Sequence, residues 1–252
     1  MAAQLTPPAV VLYLYGISAA DTAKVVESTG VDDRSRVIGI QCQGLLCWVS
    51  RVSEEEFGSR LAQNMENLDW VARTSVAHQR AISAIARETD ILPARLATVF
   101  RSEDSLSRHI GEQLETFKRD LARVKGADEW GIKIFVLDSP IVPARAIRSG
   151  KDYLKAKAAL LPKQRQSPDT AKDLAEFGKA LEAISLESAP PGKVSSGQRG
   201  IAFQTSILVK RSDRKRLESV LGKFSQRWAA SRRIECTGPW PPYSFVSRVE
   251  SD

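Results

Sequence analysis

The sequence Val10-Val11-Leu12-Tyr13-Leu14-Tyr15-Gly16 is an apolar run, rich in β-branched and aromatic residues, that ends at a glycine. Such a run is typical of a buried strand followed by a turn. A polar segment with helical character covers residues 19–28. Two β-rich runs follow over residues 36–41 and 45–52, separated by Cys42-Gln43-Gly44. The pattern predicts that a strand and then a β-hairpin begin the fold.

Helical patterns occupy most of the next 75 residues. Ser53 and the three glutamates that follow it predict a helix start, because a serine cap and acidic side chains both stabilise the positive end of a helix. Apolar or small residues recur every three or four positions from residue 68 to 89, which predicts one long amphipathic helix. The predicted elements are helices at about 53–64, 68–89 and 102–124, with a strand-like segment at 91–100. This order favours an α+β domain over repeated βαβ units.

The second half of the chain predicts a different arrangement of the same kinds of element. The segments are a strand at 131–137, helices at 144–161 and 169–186, a loop at 188–200 rich in Pro, Gly and Ser, a strand at 201–209, a helix at 213–229 and a strand at 233–236. We therefore predict two domains, residues 1–127 and 128–252. The second is expected to be a modified ferredoxin-like sandwich with an inserted helical arm at about 144–187, a mobile loop at 188–200 and a Pro/Trp-rich C-terminal tail.

Composition narrows the class of protein. The 252 residues are 42% hydrophobic, which excludes a disordered chain and is sufficient for a substantial core. We expect neither a membrane span nor a signal peptide, because no apolar stretch approaches about 20 residues and the N-terminus lacks a basic region and a cleavage site. The sequence predicts a soluble cytoplasmic protein. Cys42, Cys47 and Cys236 match no redox or zinc motif and are interpreted as buried thiols.

Positive charge is concentrated in the C-terminal part. Residues 1–142 contain 16 Lys and Arg against 19 Asp and Glu, and residues 143–252 contain 21 against 11. The densest cluster is Lys210, Arg211, Arg214, Lys215 and Arg216. Nucleic acid, an anionic surface, an acidic protein or simple solubility are all compatible with this imbalance. We expect no nucleic-acid binding, since the neighbouring strand supplies only Phe203 for base stacking.

The sequence contains few combinations of residues that could support catalysis. His78 lies on the apolar stripe of the long predicted helix, so we expect a core histidine that is hydrogen-bonded to a neighbour, with a general base as the alternative. His109 stands beside Arg108 in a charged helix and is expected to be exposed. Gly192 and Gly197 lack the Lys-Ser/Thr ending of a phosphate-binding loop. No cofactor, metal site or catalytic residue is predicted, and the chain is not expected to be an enzyme.

Two longer motifs resemble those of a known family. Residues 92–100 read LPARLATVF and residues 237–245 read TGPWPPYSF. With the opening Tyr13-Leu14-Tyr15-Gly16, His78 in the long helix, and Glu129-Trp130-Gly131 followed by Lys133, they resemble the gas vesicle F/L family over nearly the whole length. The family's first motif usually reads LPxRFGTxF, and here Leu96 and Ala97 replace the expected Phe and Gly. We expect the fold to tolerate both replacements.

This resemblance implies two α+β domains, the second ferredoxin-like, and an accessory role in gas vesicle assembly without enzymatic activity. Members of the family are thought to bind the small, apolar shell protein, gas vesicle protein A, and to prevent its aggregation or help nucleate the vesicle as a minor component. Other accessory gas vesicle proteins are possible partners. The competing hypotheses are a ferredoxin-like regulatory module that binds a small ligand, and an enzyme that uses His78 and Arg95.

Strand addition at a sheet edge, or an apolar surface of the first domain, could hold such a shell protein. The candidate contact residues are Tyr13, Tyr15, Arg95 and Phe100, for which core packing is the alternative. His78, Trp130, Trp240 and Tyr243 are expected to be structural. Proline-rich aromatic segments often fix a chain end over a core, so Trp240 and Tyr243 are expected to lock the tail across a domain boundary.

Overall fold

The structure is a computed structural model that describes residues 9–20, 26–137, 168–190 and 200–247. It divides into two compact units. The first runs to Glu129 and also includes the segment from Gly238 onwards, and the second comprises residues 130–237. The sequence-based division differs, because it assigned the C-terminal tail to the second domain. The predicted helix at 144–161 and residues 191–199 of the predicted loop lie outside the described residues.

A five-stranded sheet organises the first unit. Its strands are β1 (Val10–Ala19), β2 (Ile38–Cys42), β3 (Leu45–Ser53), β4 (Leu92–Pro93) and β5 (Val99–Phe100). The order is β2-β3-β1-β4, and β5 also pairs with β1. The predicted hairpin is β2–β3, in which Cys42 pairs with Leu45. Gln43 and Gly44 both have positive φ, 52° and 78°, as expected for the tight turn that matches the strand twist.

The first strand is longer than predicted. We expected it to end in a turn at Gly16, but β1 continues through this residue to Ala19. A Cβ atom at Gly16 would lie 2.5 Å from the carbonyl oxygen of Leu92, so the glycine permits the close approach of β4. Residues 21–25 of the predicted polar helical segment lie outside the described residues.

Helices and a π-helical turn cover the sheet of the first unit. They are the turn Glu55–Ser59, α1 (Leu61–Glu66), α2 (Leu68–Glu88), α3 (Glu103–Glu112) and α4 (Leu114–Val124). The long predicted helix is α2, and its start is fixed by the Asn67 side chain, which accepts hydrogen bonds from two backbone amides. The single helix predicted for 102–124 is instead two helices that meet at Gln113.

The core of the first unit lies between β1, β3 and α2. Tyr13, Tyr15 and Trp48 from the sheet pack with Ile82 and Ile85 from the helix, and all five are buried. Full burial of a large apolar side chain stabilises a fold by roughly 2 kcal/mol. The apolar stripe of α2 therefore explains both the formation of this helix and its position on the sheet.

The second unit is a four-stranded sheet packed against two helices. Its elements are β6 (Ala127–Val136), α5 (Pro168–Glu182), β7 (Glu187–Ala189), β8 (Ile201–Lys210), α6 (Arg214–Trp228) and β9 (Arg232–Trp240). The strand order is β7-β8-β6-β9. Phe177, Phe224 and Trp228 form an aromatic cluster over Ile132 and Ile207. The strand β7 occupies the start of a region that the sequence predicted to be a loop.

No helix in the described ranges is both long enough and apolar enough to cross a bilayer.

Candidate protein-binding surface

Three of the four candidate contact residues lie inside the first unit. Tyr13, Tyr15 and Phe100 are almost completely buried, whereas Arg95 is exposed. The three rings belong to the core, and their side chains are not available on the surface of this structure. Core packing, the alternative considered for them from the sequence, accounts for their position.

Tyr13 organises the loop between β4 and β5. Its hydroxyl lies 3.0 Å from Nδ1 of His78 and accepts a hydrogen bond of 2.9 Å from the Ala97 amide. Burial raises the pKa of Tyr13, so the phenol keeps its proton and can donate it to the imidazole. Ala97 has a φ of 63°, in the left-handed region, which turns its amide towards the ring. One buried hydroxyl thus joins β1, α2 and the 94–98 loop.

His78 is a core histidine. Its ring is 5% exposed, and burial lowers its pKa to about 4, because the charged imidazolium is disfavoured away from water. The imidazole is therefore neutral at neutral pH. The backbone of Ala94 lies close to the ring and offsets part of this lowering of the pKa. A general base must reach a substrate proton, and this ring does not face solvent.

Tyr15 fixes a second loop. Its hydroxyl lies 2.6 Å from the Ser50 hydroxyl and accepts a hydrogen bond of 3.0 Å from the Val31 amide. Burial raises the pKa of Tyr15 to about 12. Val31 begins the turn in which the Asp32 carboxylate accepts from the Arg34 and Ser35 amides. The Tyr-Leu-Tyr motif thus positions a loop on each side of β1.

The outer side of β2 is the accessible edge of the first sheet. In the described part of the chain no strand pairs with this side. Ile38 is 38% exposed, and Gly39 and Gln41 are also exposed. The two-residue turn makes Cys42 and Leu45 a hydrogen-bonded pair, so Gly39 and Gln41 direct their amides and carbonyls away from β3. A strand edge of this kind is a template for pairing with another chain.

Apolar side chains are also exposed on α2. Leu68, Ala72 and Val76 recur every four residues along its outer face, and Leu68 and Val76 are each more than two-thirds exposed. Val76 borders a cleft of about 640 Å³ between α2 and the 31–34 turn. The carboxylate of Asp33 in this cleft is paired with Arg80 at 2.6 Å.

The C-terminal tail is held by residues to which the sequence analysis gave no structural role. Phe245 is 2% exposed, and the Ser244 amide and hydroxyl donate to the Glu129 carboxylate at 2.8 and 2.6 Å. The Ser247 amide donates to Asp120 at 2.6 Å. A signal for Asp120 was present, since it falls on the apolar stripe of α4 with Phe117 and Val124. A carboxylate at such a position requires a buried partner.

Two of the expected structural residues belong to this tail. Trp240 is 42% exposed, and the Tyr243 hydroxyl donates to the Gln79 side chain at 3.1 Å. The side chains that bind the tail through hydrogen bonds, Gln79, Glu129 and Asp120, belong to the first unit, and Phe245 is the most deeply buried aromatic residue of the tail. Trp130, the fourth expected structural residue, is 8% exposed and belongs to the core of the second unit.

The expectation that His109 is exposed is wrong. The residue is half-buried, and its ring centroid lies 5.4 Å from that of Phe100 and 6.5 Å from that of Phe117. Cys42 and Cys47 are buried free thiols, and Cys236 is half-buried. The described residues contain no group of three potential metal ligands.

Comparison with known proteins gives a consistent result. The model of the family described as "Gas vesicle synthesis protein GvpL/GvpF" matches residues 11–247. Gas vesicle protein L of Streptomyces sp. (strain CB03234) is 29% identical over 205 residues, which cover 76% of each chain. Gas vesicle protein L2 of Halobacterium salinarum is 24% identical, with 99% of this chain and 95% of the relative covered.

Solved structures show the same fold. The gas vesicle protein GvpF from Anabaena sp. PCC7120 aligns with a TM-score of 0.68 at 16% identity, covering 96% of this chain and 98% of that one. GvpF from Microcystis aeruginosa aligns with a TM-score of 0.69 at 18% identity, covering 94% and 99%. Both likenesses support a mixed α/β architecture with two antiparallel sheets.

Proposed function

Because this chain belongs to the gas vesicle synthesis protein GvpL/GvpF family, we propose that it is an accessory protein that binds the gas vesicle shell protein, gas vesicle protein A. In this proposal it prevents the shell protein from aggregating, or helps to nucleate the vesicle. It acts in the cytoplasm without catalysis and remains on the vesicle as a minor component, where other accessory gas vesicle proteins are further partners.

The second unit is proposed to be a modified ferredoxin-like sandwich. Along the chain its elements alternate as β6, α5, β7, β8, α6 and β9. The spatial order β7-β8-β6-β9 places the first and third strands at the centre, which is the arrangement of a split βαβ pair. The same order supports a domain division near residue 129. In this pattern α5, which the sequence analysis placed in the inserted helical arm, is the first of the two helices that pack on the sheet.

The observation that carries the binding proposal is the exposed outer edge of β2. An aggregation-prone shell subunit has to be held by the same interactions through which it self-associates, and strand addition supplies them through backbone hydrogen bonds. Gly39 and Gln41 present the required donors and acceptors, and Ile38 adds an exposed apolar side chain. The apolar outer face of α2 is the alternative surface.

The test compares two substitutions at one exposed position. Gln41→Pro removes the outward amide without removing a β2–β3 hydrogen bond, and Gln41→Ala removes the same side chain but keeps the amide. Each variant is co-expressed with gas vesicle protein A, and the soluble fraction is analysed by size-exclusion chromatography with light scattering. We expect a soluble complex with the wild type and Gln41→Ala, and its loss with Gln41→Pro at an unchanged Tm.

The outcomes distinguish whether the protein binds the shell protein from whether it does so by strand addition at β2. A complex that survives Gln41→Pro would retain the proposed function but exclude strand addition at β2, and Leu68→Gln and Val76→Gln would then test the face of α2. Separate elution of the wild type, with the shell protein insoluble, would exclude direct binding as the main function.

A further inference from the structure

The second unit has a basic cluster that the proposed function does not use. It consists of Lys210 at the end of β8, Arg211, and Arg214, Lys215 and Arg216 in the first turn of α6. All five side chains are exposed. The only carboxylates between residues 210 and 218 are Asp213 and Glu218, so this surface has a clear excess of positive charge.

The two nearby carboxylates are already engaged. Asp213 pairs with Arg216 and Glu218 pairs with Arg214, each at 3.0 Å. Lys210 and Lys215 form no ion pair with any described residue. Their charges are therefore available to a partner, and the internal pairs hold two of the arginines in place beside them.

Helix stability does not explain this placement of charge. The amides of the first turn give a helix N-terminus a partial positive charge, which favours acidic side chains there and disfavours basic ones. The first turn of α6 contains three basic residues and no acidic residue. The basic side chains of the cluster thus stand where the helix itself favours acidic ones, so the stability of α6 gives no reason for their presence.

The surroundings of the cluster favour a protein over a nucleic acid. Binding of single-stranded nucleic acid uses exposed aromatic rings for base stacking. In the described part of the second unit no aromatic side chain is exposed. Trp130 is buried, with the Arg214 guanidinium 5.6 Å from its ring centroid, and Phe203 packs edge-on against Phe177. These rings stabilise the core and are not available to bases.

We propose that this basic cluster is a second binding surface, separate from the edge of β2, for an acidic segment of a protein partner. Glutamate and aspartate side chains of such a segment would pair with Lys210 and Lys215 and form forked hydrogen bonds with the exposed guanidinium groups. Charge complementarity of this kind accelerates association and makes binding dependent on salt.

The test uses the full chain and a defined probe. A fluorescein-labelled 16-residue peptide of alternating Glu and Ala is titrated by fluorescence anisotropy at low and at physiological salt. Lys210→Gln/Lys215→Gln should weaken binding about tenfold and leave the Tm equal or higher. The control Lys172→Gln/Lys179→Gln removes two exposed lysines from α5 in the same unit and should change the affinity less than about twofold.

Three results would overturn the proposal. If both double variants bound the peptide equally weakly, the loss of affinity would come from the lower net charge of the protein and not from this cluster. Tighter binding of a 16-nucleotide single-stranded DNA, or of phosphatidylglycerol vesicles, through the same two lysines would identify a nucleic acid or a membrane surface instead. Absence of peptide binding by the wild type at low salt would show that the cluster serves no acidic segment.

Discussion

His78 illustrates how burial determines the chemistry of a single residue. The sequence placed it on an apolar stripe, and the structure adds Tyr13 as its partner at 3.0 Å. The partner could not be predicted, because 65 residues separate the two side chains in the chain. What the stripe alone indicated was burial, and burial is the dominant cause of its lowered pKa.

A pH dependence of stability follows from this lowered pKa. The folded imidazole stays neutral down to about pH 4, whereas in the unfolded chain it takes up a proton below about pH 6.5. Its contribution is fully present above pH 6.5 and is lost as the pH falls from 6.5 to 4, by about 2 kcal/mol at pH 5. Urea unfolding at pH 7 and pH 5 measures the loss. His78→Gln should remove this part of the pH dependence, and His109→Gln should retain it; the reverse pattern would contradict the assignment.

Ala97 is one of two residues, with Leu96, at which the chain departs from the usual motif of its family, and it is the one of the two with a left-handed backbone. Its φ of 63° costs a non-glycine residue roughly 1–2 kcal/mol, and glycine avoids this cost but loses more entropy on folding. We expect Ala97→Gly to raise the free energy of unfolding by up to about 1 kcal/mol. Thermal unfolding checks this, with Ala94→Gly as a destabilising control; a lower Tm for Ala97→Gly would exclude strain at this position.

At the scale of elements, the sequence predicted the helices and turns that are stabilised by interactions between residues close together in the chain. The periodicity of residues 68–89 and the Gln43-Gly44 turn predicted α2 and the β2–β3 hairpin. Features that depend on distant residues were missed. The continuation of β1 through Gly16 depends on the approach of Leu92, and the division of 102–124 into two helices places the bend at Gln113. Neither leaves a periodic signal in the sequence.

The tail is an element that the sequence analysis expected Trp240 and Tyr243 to hold in place, whereas its most deeply buried aromatic side chain is Phe245. Phe245 is buried and Trp240 is 42% exposed, although Trp240 is the larger side chain. Phe245→Ala should therefore lower the free energy of unfolding by about 3–5 kcal/mol, and Trp240→Ala by less than about 1.5 kcal/mol. Chemical denaturation of the two variants side by side measures the difference. Equal losses would mean that Trp240 also anchors the tail.

At the scale of the whole molecule, the sequence predicted two α+β units and the structure shows how the chain is shared between them. The segment from Gly238 onwards belongs with residues up to Glu129, although it follows the second unit in the chain. The residues that bind this segment lie far from it in the sequence: Asp120 is on an apolar helical stripe and Glu129 is inside a strand. Only the tertiary contacts show that both carboxylates accept hydrogen bonds from the tail.

Removal of the tail should therefore destabilise the first unit selectively. Ending the chain at Thr237 deletes Phe245, takes the Ser244 amide from the buried carboxylate of Glu129 and takes the Ser247 amide from Oδ2 of Asp120, whose Oδ1 stays paired with Arg123. An unsatisfied buried acceptor costs about 1–3 kcal/mol, and the lost aromatic packing adds to this. Hydrogen exchange followed by mass spectrometry should show faster exchange in α4 and β1, with β8 and α6 unchanged. The matched control Ser244→Ala keeps both amides and removes only the hydrogen bond from the Ser244 hydroxyl to Glu129, so it should produce a small change in the same regions. Faster exchange in β8 and α6 instead would mean that the tail stabilises the second unit, as the sequence-based division had assumed.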